Sequence, residues 1–356
     1  MSEQKNLKKT HKYNNIVYHE SSNKVYFTNK RVSESSFKDI FSFVEHPVVQ
    51  TVWRILKIII EFFIIGFIVI TIAFFLVNAV PGSNTLTAGL QEAQRIALEQ
   101  KYGLNLPIFI RYLNYLNGLA HLDFGISLSL FPAQPISDWI GQRFLKSFYI
   151  GIFSVFLTVA IGIPLGIWVG KNPGKFIDNF STVIVSIFSS VPSIVFALVL
   201  VFLGRSIGIP YVFNEKDFIT YILPGLALSL TSIIVYIKYI RTELNRELNS
   251  VHAKFAYLKG VSKNRFVWKH ALKPSLFPIA TFFPAVIFSS FLGSIFIEQI
   301  FLISGSGATL LQAIQTKDYN VILFLMVIFS ILTILSYASR DLLYEAIDPR
   351  VRRRGK

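Results

Sequence analysis

The chain has 356 residues, 53% of them hydrophobic and 15% charged, and a mean hydropathy of +0.53, a balance that excludes an ordinary soluble domain and is normal for a protein with several membrane spans. It contains no cysteine, which excludes disulfides, thiolate metal sites and a cysteine nucleophile. The net charge of +15 sits in basic clusters that flank apolar runs, so it points to the anionic lipids of an inner membrane face and not to nucleic acid.

Residues 1–50 are polar and basic (Lys5, Lys8, Lys9, Lys12, Lys24, Lys30, Arg31, Lys38). They carry no early apolar core, so no cleavable signal peptide is expected, and they are expected to form a disordered cytoplasmic tail. Within 51–356, six apolar runs reach the length a span needs, about 20 residues. They are Ile55–Val80, Ser147–Gly170, Ile177–Leu203, Phe218–Ile240, Ser275–Ile300 and Asn320–Ala338. Such continuous runs are unlike the alternating strands of a barrel. The predicted fold class is therefore an all-α membrane protein with six transmembrane helices. In the loop 81–145, Gln91–Tyr102 has helix-forming composition. Ile108–Leu119 spaces Ile108, Tyr112, Tyr115 and Leu119 as an interfacial helix would.

Lys and Arg placement sets the orientation. Segment 241–273 holds Arg241, Arg246, Lys254, Lys259, Lys263, Arg265, Lys269 and Lys273 against Glu243 and Glu247. Connector 171–176 holds Lys171 and Lys175, and the chain ends in Arg350, Arg352, Arg353, Arg354 and Lys356. Loop 81–145 is balanced in charge. Six spans put both termini on one side, and the basic segments then all fall in the cytoplasm.

Enzyme chemistry finds little support. The six histidines form no HExxH or other close metal pair, and no Walker A loop is present to hold ATP. Ser304-Gly305-Ser306-Gly307 lacks the spacing of a nucleophile turn and reads as a flexible outer loop. Glu61, the notable ionisable residue inside a span, follows Lys57 by four residues, and a local ion pair accounts for it.

The loop 241–274 is the richest segment. Leu244, Leu248, Val251, Phe255 and Leu258 step by four, three, four and three, which predicts one apolar helix face. Gly260 follows as a C-terminal cap, Ser262 is a natural N-cap for a second helix to about Leu272, and Pro274 is expected to end it. Small Ala256 and Gly260 leave room for a partner to approach. From periodicity alone, an amphipathic loop resting on lipid headgroups fits equally well.

The segment resembles the EAA loop of ABC importer permeases, most closely the branch for oligopeptides, dipeptides and nickel. There the loop reads approximately R-T-A-R-A-K-G, nine residues, then H-A-L-[KR]-[PN]. Here it is Lys254-Phe255-Ala256-Tyr257-Leu258-Lys259-Gly260, nine residues, then His270-Ala271-Leu272-Lys273-Pro274. Of the general Glu-Ala-Ala consensus only Ala256 is kept. Further segments resemble the first permease subunit of that branch in order. They are Pro81-Gly82-Ser83, Tyr102 to Pro107, Asp123-Phe124-Gly125-Ile126-Ser127, Val191-Pro192-Ser193, Leu223-Pro224 through Arg241, Lys317-Asp318-Tyr319, and Asp341 to Tyr344 with Ile347 to Arg352. Where the family often has Pro-Gly-[LI]-Gly, this chain has Ser304 to Gly307.

The resemblance covers about 55–352. It implies the type I ABC importer permease fold in a bacterial cell membrane. It also implies a heterodimer with a second permease, two cytoplasmic ATPases that carry ATP and Mg, and an extracellular substrate-binding lipoprotein. The twelve residues of the two loop motifs would be the ATPase-coupling site, with no catalytic, cofactor or metal residues on this chain. Spans nearly devoid of charge suit peptides better than nickel. An ion-coupled secondary transporter would need intramembrane ionisable groups or broken helices, and Glu61 alone is thin support.

Overall fold

The computed structural model describes residues 11–13, 16–19, 24–27, 47–79, 91–101, 103 and 105–347. Pro81-Gly82-Ser83, Tyr102, Leu104 and the closing Asp348 to Arg352 lie outside the described residues. Two compact units divide the chain, Met1–Glu61 and Phe62–Lys356.

The first unit holds a small antiparallel meander of β1 (His11–Tyr13), β2 (Ile16–His19) and β3 (Lys24–Phe27). Tyr13 faces Ile16, Ile16 faces Phe27, and Tyr18 faces Val25. These aromatic and β-branched cross-strand pairs are what a short ladder needs. These strands fall within the segment 1–50 that is expected from sequence to be a disordered tail. Lys57 and Glu61 pair at 3.6 Å with both side chains exposed, the local ion pair the spacing suggests.

Helix α1 (Pro47–Ala79) begins in the first unit and supplies the first span. In the second unit come α2 (Glu92–Lys101), α3 (Ile108–Ala120), α4 (Ile136–Gly170), α5 (Phe176–Ser190), α6 (Ser193–Ser206) and α7 (Ile219–Leu248). Then follow α8 (Val251–Leu258), α9 (Lys263–Leu292), α10 (Ile295–Ile300), α11 (Ser306–Gln315) and α12 (Tyr319–Ile347). Among the described residues five helices are long and apolar enough to span a membrane. The count rises to six if α5 and α6, bent by 101° at Val191–Pro192, are one span.

Two predicted spans need correction, and a third belongs to a longer helix. The run Ile177–Leu203 is broken, because Val191 precedes a proline and takes an extended conformation (ψ 122°). The run Ser275–Ile300 stops at Leu292. Gly293 takes φ +69°, and a Cβ there would meet Glu298 Oε1 at 2.1 Å, so the turn is open only to glycine. The helix that carries the second run starts at Ile136, ahead of Ser147, since Ile136 and Ile140 are buried against α11 and α12. The tyrosines of α3 make defined contacts. Tyr112 packs on Phe74 and bonds Thr71 Oγ1 at 2.6 Å, and Tyr115 packs beside it, so both lie against α1.

Helices α4, α7, α9 and α12 form the centre of the bundle. Gly162, Gly166 and Gly170 recur every four residues along α4 and admit the backbone of α7. A Cβ on Gly166 would lie 2.8 Å from Cβ of Ile240. Small residues at this period let membrane helices approach closely. Gly166→Val is expected to overpack the contact at a cost of about 1–3 kcal/mol. A lowered thermal midpoint of the detergent-purified protein reads that cost, and an unchanged midpoint contradicts it. The π-helical turns Thr158–Gly162 and Val267–Ala271 sit just before Pro164 and Pro274. A widened turn relieves the clash of a proline ring with the preceding carbonyl. Pro274 therefore does not end a helix, as expected from sequence, but continues into α9.

Candidate coupling surface

The Gly170 end of α4 gathers a buried cluster from four helices. Ile167 of α4, Leu244 and Leu248 of α7, Ala253 of α8, and Phe266, Val267 and Ala271 of α9 meet there. The predicted single stripe is split by this packing. Asn249 caps α7, and Ser250 takes an extended conformation and accepts the N–H of Ala253, starting a new helix. Leu244 and Leu248 turn inward. Val251, Phe255 and Leu258, at i, i+4 and i+7 of α8, turn outward with 68%, 61% and 83% of their surface exposed.

The end of α8 is as the sequence predicts. Gly260 has φ +82°, its N–H bonds Tyr257 O at 2.9 Å, and Val261 N–H bonds Ala256 O at 3.1 Å. This is a Schellman cap, which satisfies the last carbonyls of the helix. Ser262 then accepts the N–H of Arg265 as the N-cap of α9. Phe266, buried beneath, has the rings of His252, Tyr257 and His270 at 5.6, 5.4 and 5.6 Å. Partial burial there pushes the Tyr257 phenol up from its ordinary value. Lys171 lies 5.7 Å from the ring centre of Trp268, linking the connector 171–175 to this loop.

The twelve candidate residues thus divide in two. Lys254, Phe255, Leu258, Lys259, Gly260, His270, Lys273 and Pro274 are exposed, while Ala271 is buried and Ala256, Tyr257 and Leu272 are partly buried on the bundle side. A rigidly anchored short helix presents an apolar face flanked by lysines.

Buried carboxylates organise the rest of the bundle, and periodicity gave no sign of them. Asp318 accepts from Ser127 Oγ at 2.5 Å and from the N–H groups of Leu128, Ser129 and Leu130 at 2.9–3.0 Å. It thereby joins two motifs, Asp123 to Ser127 and Lys317 to Tyr319. Glu298 accepts from Ser147 Oγ at 2.6 Å and from Ala308 N–H at 2.7 Å. Ser306 is wholly buried, and its N–H donates to Ser147 Oγ. The segment 304–307 is accordingly the packed start of α11, a correction to the flexible loop expected. Asp178 near the start of α5 pairs with Arg241 of α7 and accepts the N–H of Gly174.

A multi-span helical bundle with a broken span, carrying a short capped helix that is packed on its core and exposes an apolar face, has the form of a polytopic membrane protein. The chain belongs to the binding-protein-dependent transport system inner membrane components, a family whose model matches residues 162–353. It is 31% identical over 290 residues to the oligopeptide transport system permease protein OppB of Haemophilus influenzae, covering 80% of this chain and 94% of that one. It is 29% identical over 287 residues to the dipeptide transport system permease protein DppB of Lactococcus lactis, with the same two coverages. To the oligopeptide transport system permease protein AppB of Bacillus subtilis it is 30% identical over 294 residues, covering 79% and 93%. It is a multi-pass membrane permease of the ABC importer class.

Proposed function

We propose that this chain is one permease subunit of an ATP-driven importer of oligopeptides or dipeptides, and that α8 is the handle by which a separate ATPase moves it. One observation carries the coupling assignment. Val251, Phe255 and Leu258 stand exposed on a helix whose opposite side is fixed by the buried Ala253 and Phe266. Three large apolar side chains on one face of a mounted helix form an anchor for a groove on a partner. The names of the relatives support the peptide cargo.

In this reading a second, homologous permease completes the pathway. Two ATPases hold ATP and Mg, and an extracellular binding lipoprotein delivers the peptide. Both termini and α8 lie in the cytoplasm, consistent with the lysines and arginines of 171–176 and 241–273. Closure of the ATPases on ATP drags α8. Because Leu244, Leu248 and Ala253 share one core with α4 and α9, the pull passes to whole helices, which rotate as rigid bodies. ATP must favour one permease state to do this. Moving a balance from 1:99 to 99:1 takes about 5.5 kcal/mol of differential binding.

Gly260 tests the reading. A Cβ there meets nothing within 4 Å, so an alanine bears the left-handed backbone strain but no clash of its Cβ. Gly260→Ala and Gly260→Trp share that strain and differ in outward bulk. Both are expected to insert and accumulate normally, with uptake retained in the alanine variant and abolished in the tryptophan variant. Normal uptake with Gly260→Trp would sink the coupling assignment.

A further inference from the structure

A cavity of about 340 Å³ lies between α5 and α7, lined by Ser181, Thr182, Ser186, Ser189, Ser190 and Lys238 among others. Helix α5 has two unlike faces. Phe180, Val183, Ile184 and Ile187 expose an apolar side suited to lipid. Thr182, Ser186 and Ser190, one turn apart, expose hydroxyls on the other. Each of these hydroxyls donates to the carbonyl four residues earlier, at 2.8–2.9 Å. Their oxygens therefore remain as acceptors toward the cavity.

Two cations of α7 reach this wall, and their situations differ. Arg241 is matched by Asp178. Lys238 is exposed and, among the described residues, has no carboxylate partner. It stands near the end of the apolar run Phe218–Ile240, three residues before Arg241, where its flexible stem lets the ammonium reach toward the cavity it lines. The sequence reading of spans nearly devoid of charge passed over it. A lysine ammonium beside a row of hydroxyl acceptors complements a peptide, whose carboxylate accepts and whose backbone N–H groups donate.

We propose that the cavity between α5 and α7 is a peptide subsite on the translocation path, with Lys238 holding a cargo carboxylate and the hydroxyls of Thr182, Ser186 and Ser190 receiving backbone N–H groups. The inference rests on the peptide-importer reading and deepens it by assigning residues to the path.

The test uses the complete transporter, with both permeases, both ATPases and the binding protein, reconstituted in liposomes and supplied with radiolabelled alanine peptides of several lengths. One set of vesicles is phosphatidylcholine alone and the other contains phosphatidylglycerol. Loss of a hydrogen bond to a charged group lowers uptake about tenfold, so Lys238→Gln should fall by that amount in both lipids. Lys238→Arg, which keeps the charge, and Lys216→Gln, in an exposed loop, should remain within about twofold of the parent. Uptake by Lys238→Gln at the parent rate overturns the subsite, as does a loss confined to phosphatidylglycerol vesicles, which assigns the lysine to lipid headgroups. Failure of Lys238→Gln to co-purify with the second permease also overturns it, by placing the residue in the subunit contact. Absence of peptide uptake by the parent transporter overturns the peptide reading itself and the inference with it.

Discussion

Glutamate in place of both Phe255 and Leu258 is expected to release the ATPases from the permease and abolish uptake, while the membrane domain keeps its stability. Both side chains are exposed, so the fold loses almost nothing when they change. In a partner groove each would bury enough apolar surface to contribute about 2 kcal/mol. Losing both weakens docking by roughly a thousandfold before the cost of burying two carboxylates is added. Co-purification of the ATPases with the tagged permease reads the effect directly, alongside the thermal midpoint of the permease. If the double variant still brings down the ATPases in full, α8 is not the coupling element, whatever happens to uptake.

Asp318 is expected to show the opposite pattern, a large loss of stability from a position remote from α8. It is wholly buried and serves the Ser127 hydroxyl and three consecutive backbone N–H groups. Asp318→Ala removes the acceptor shared by these donors, of which the Ser127 hydroxyl and the Leu128 N–H are buried, and each buried unpaired donor costs about 1–3 kcal/mol. A total beyond about 4 kcal/mol is enough to deplete the folded protein of a marginally stable domain. Asp318→Asn keeps the shape, but its amide nitrogen meets donors where acceptors are needed, so it should recover only part of the loss. Limited proteolysis within 126–135 and the thermal midpoint measure both variants. A protein of parental stability with Asp318→Ala would show that the loop is held by its apolar contacts instead.

The loop 241–274 shows how far local signals reach. The cap at Gly260 and the helix start at Ser262 were legible because each depends on hydrogen bonds within four or five residues. The same steps of four and three that mark a helix face misled over Leu244 to Leu258. Asn249 and Ser250 restart the helix in the middle of the stripe, and a new helix axis sends identical residue types to opposite sides. An Asn-Ser pair inside the run was the available signal. The glycines at 162, 166 and 170 were equally visible in the sequence, whereas the contacts of Glu298 were not. Its partners, Ser147 and Ala308, are 151 and 10 residues away, and nothing local links Ser147 to it.

By itself the sequence determined that this chain spans a membrane several times, which segments are apolar enough to do so, and where the basic loop turns, because hydropathy and capping are properties of short stretches of chain. Tertiary structure alone decided that Phe255 and Leu258 face outward while Leu244 and Leu248 are buried, and that Asp318 meets the loop after Ser127. Those outcomes depend on which surfaces pack together and on buried polar groups finding partners across as many as 191 residues, and neither constraint is written within any one segment.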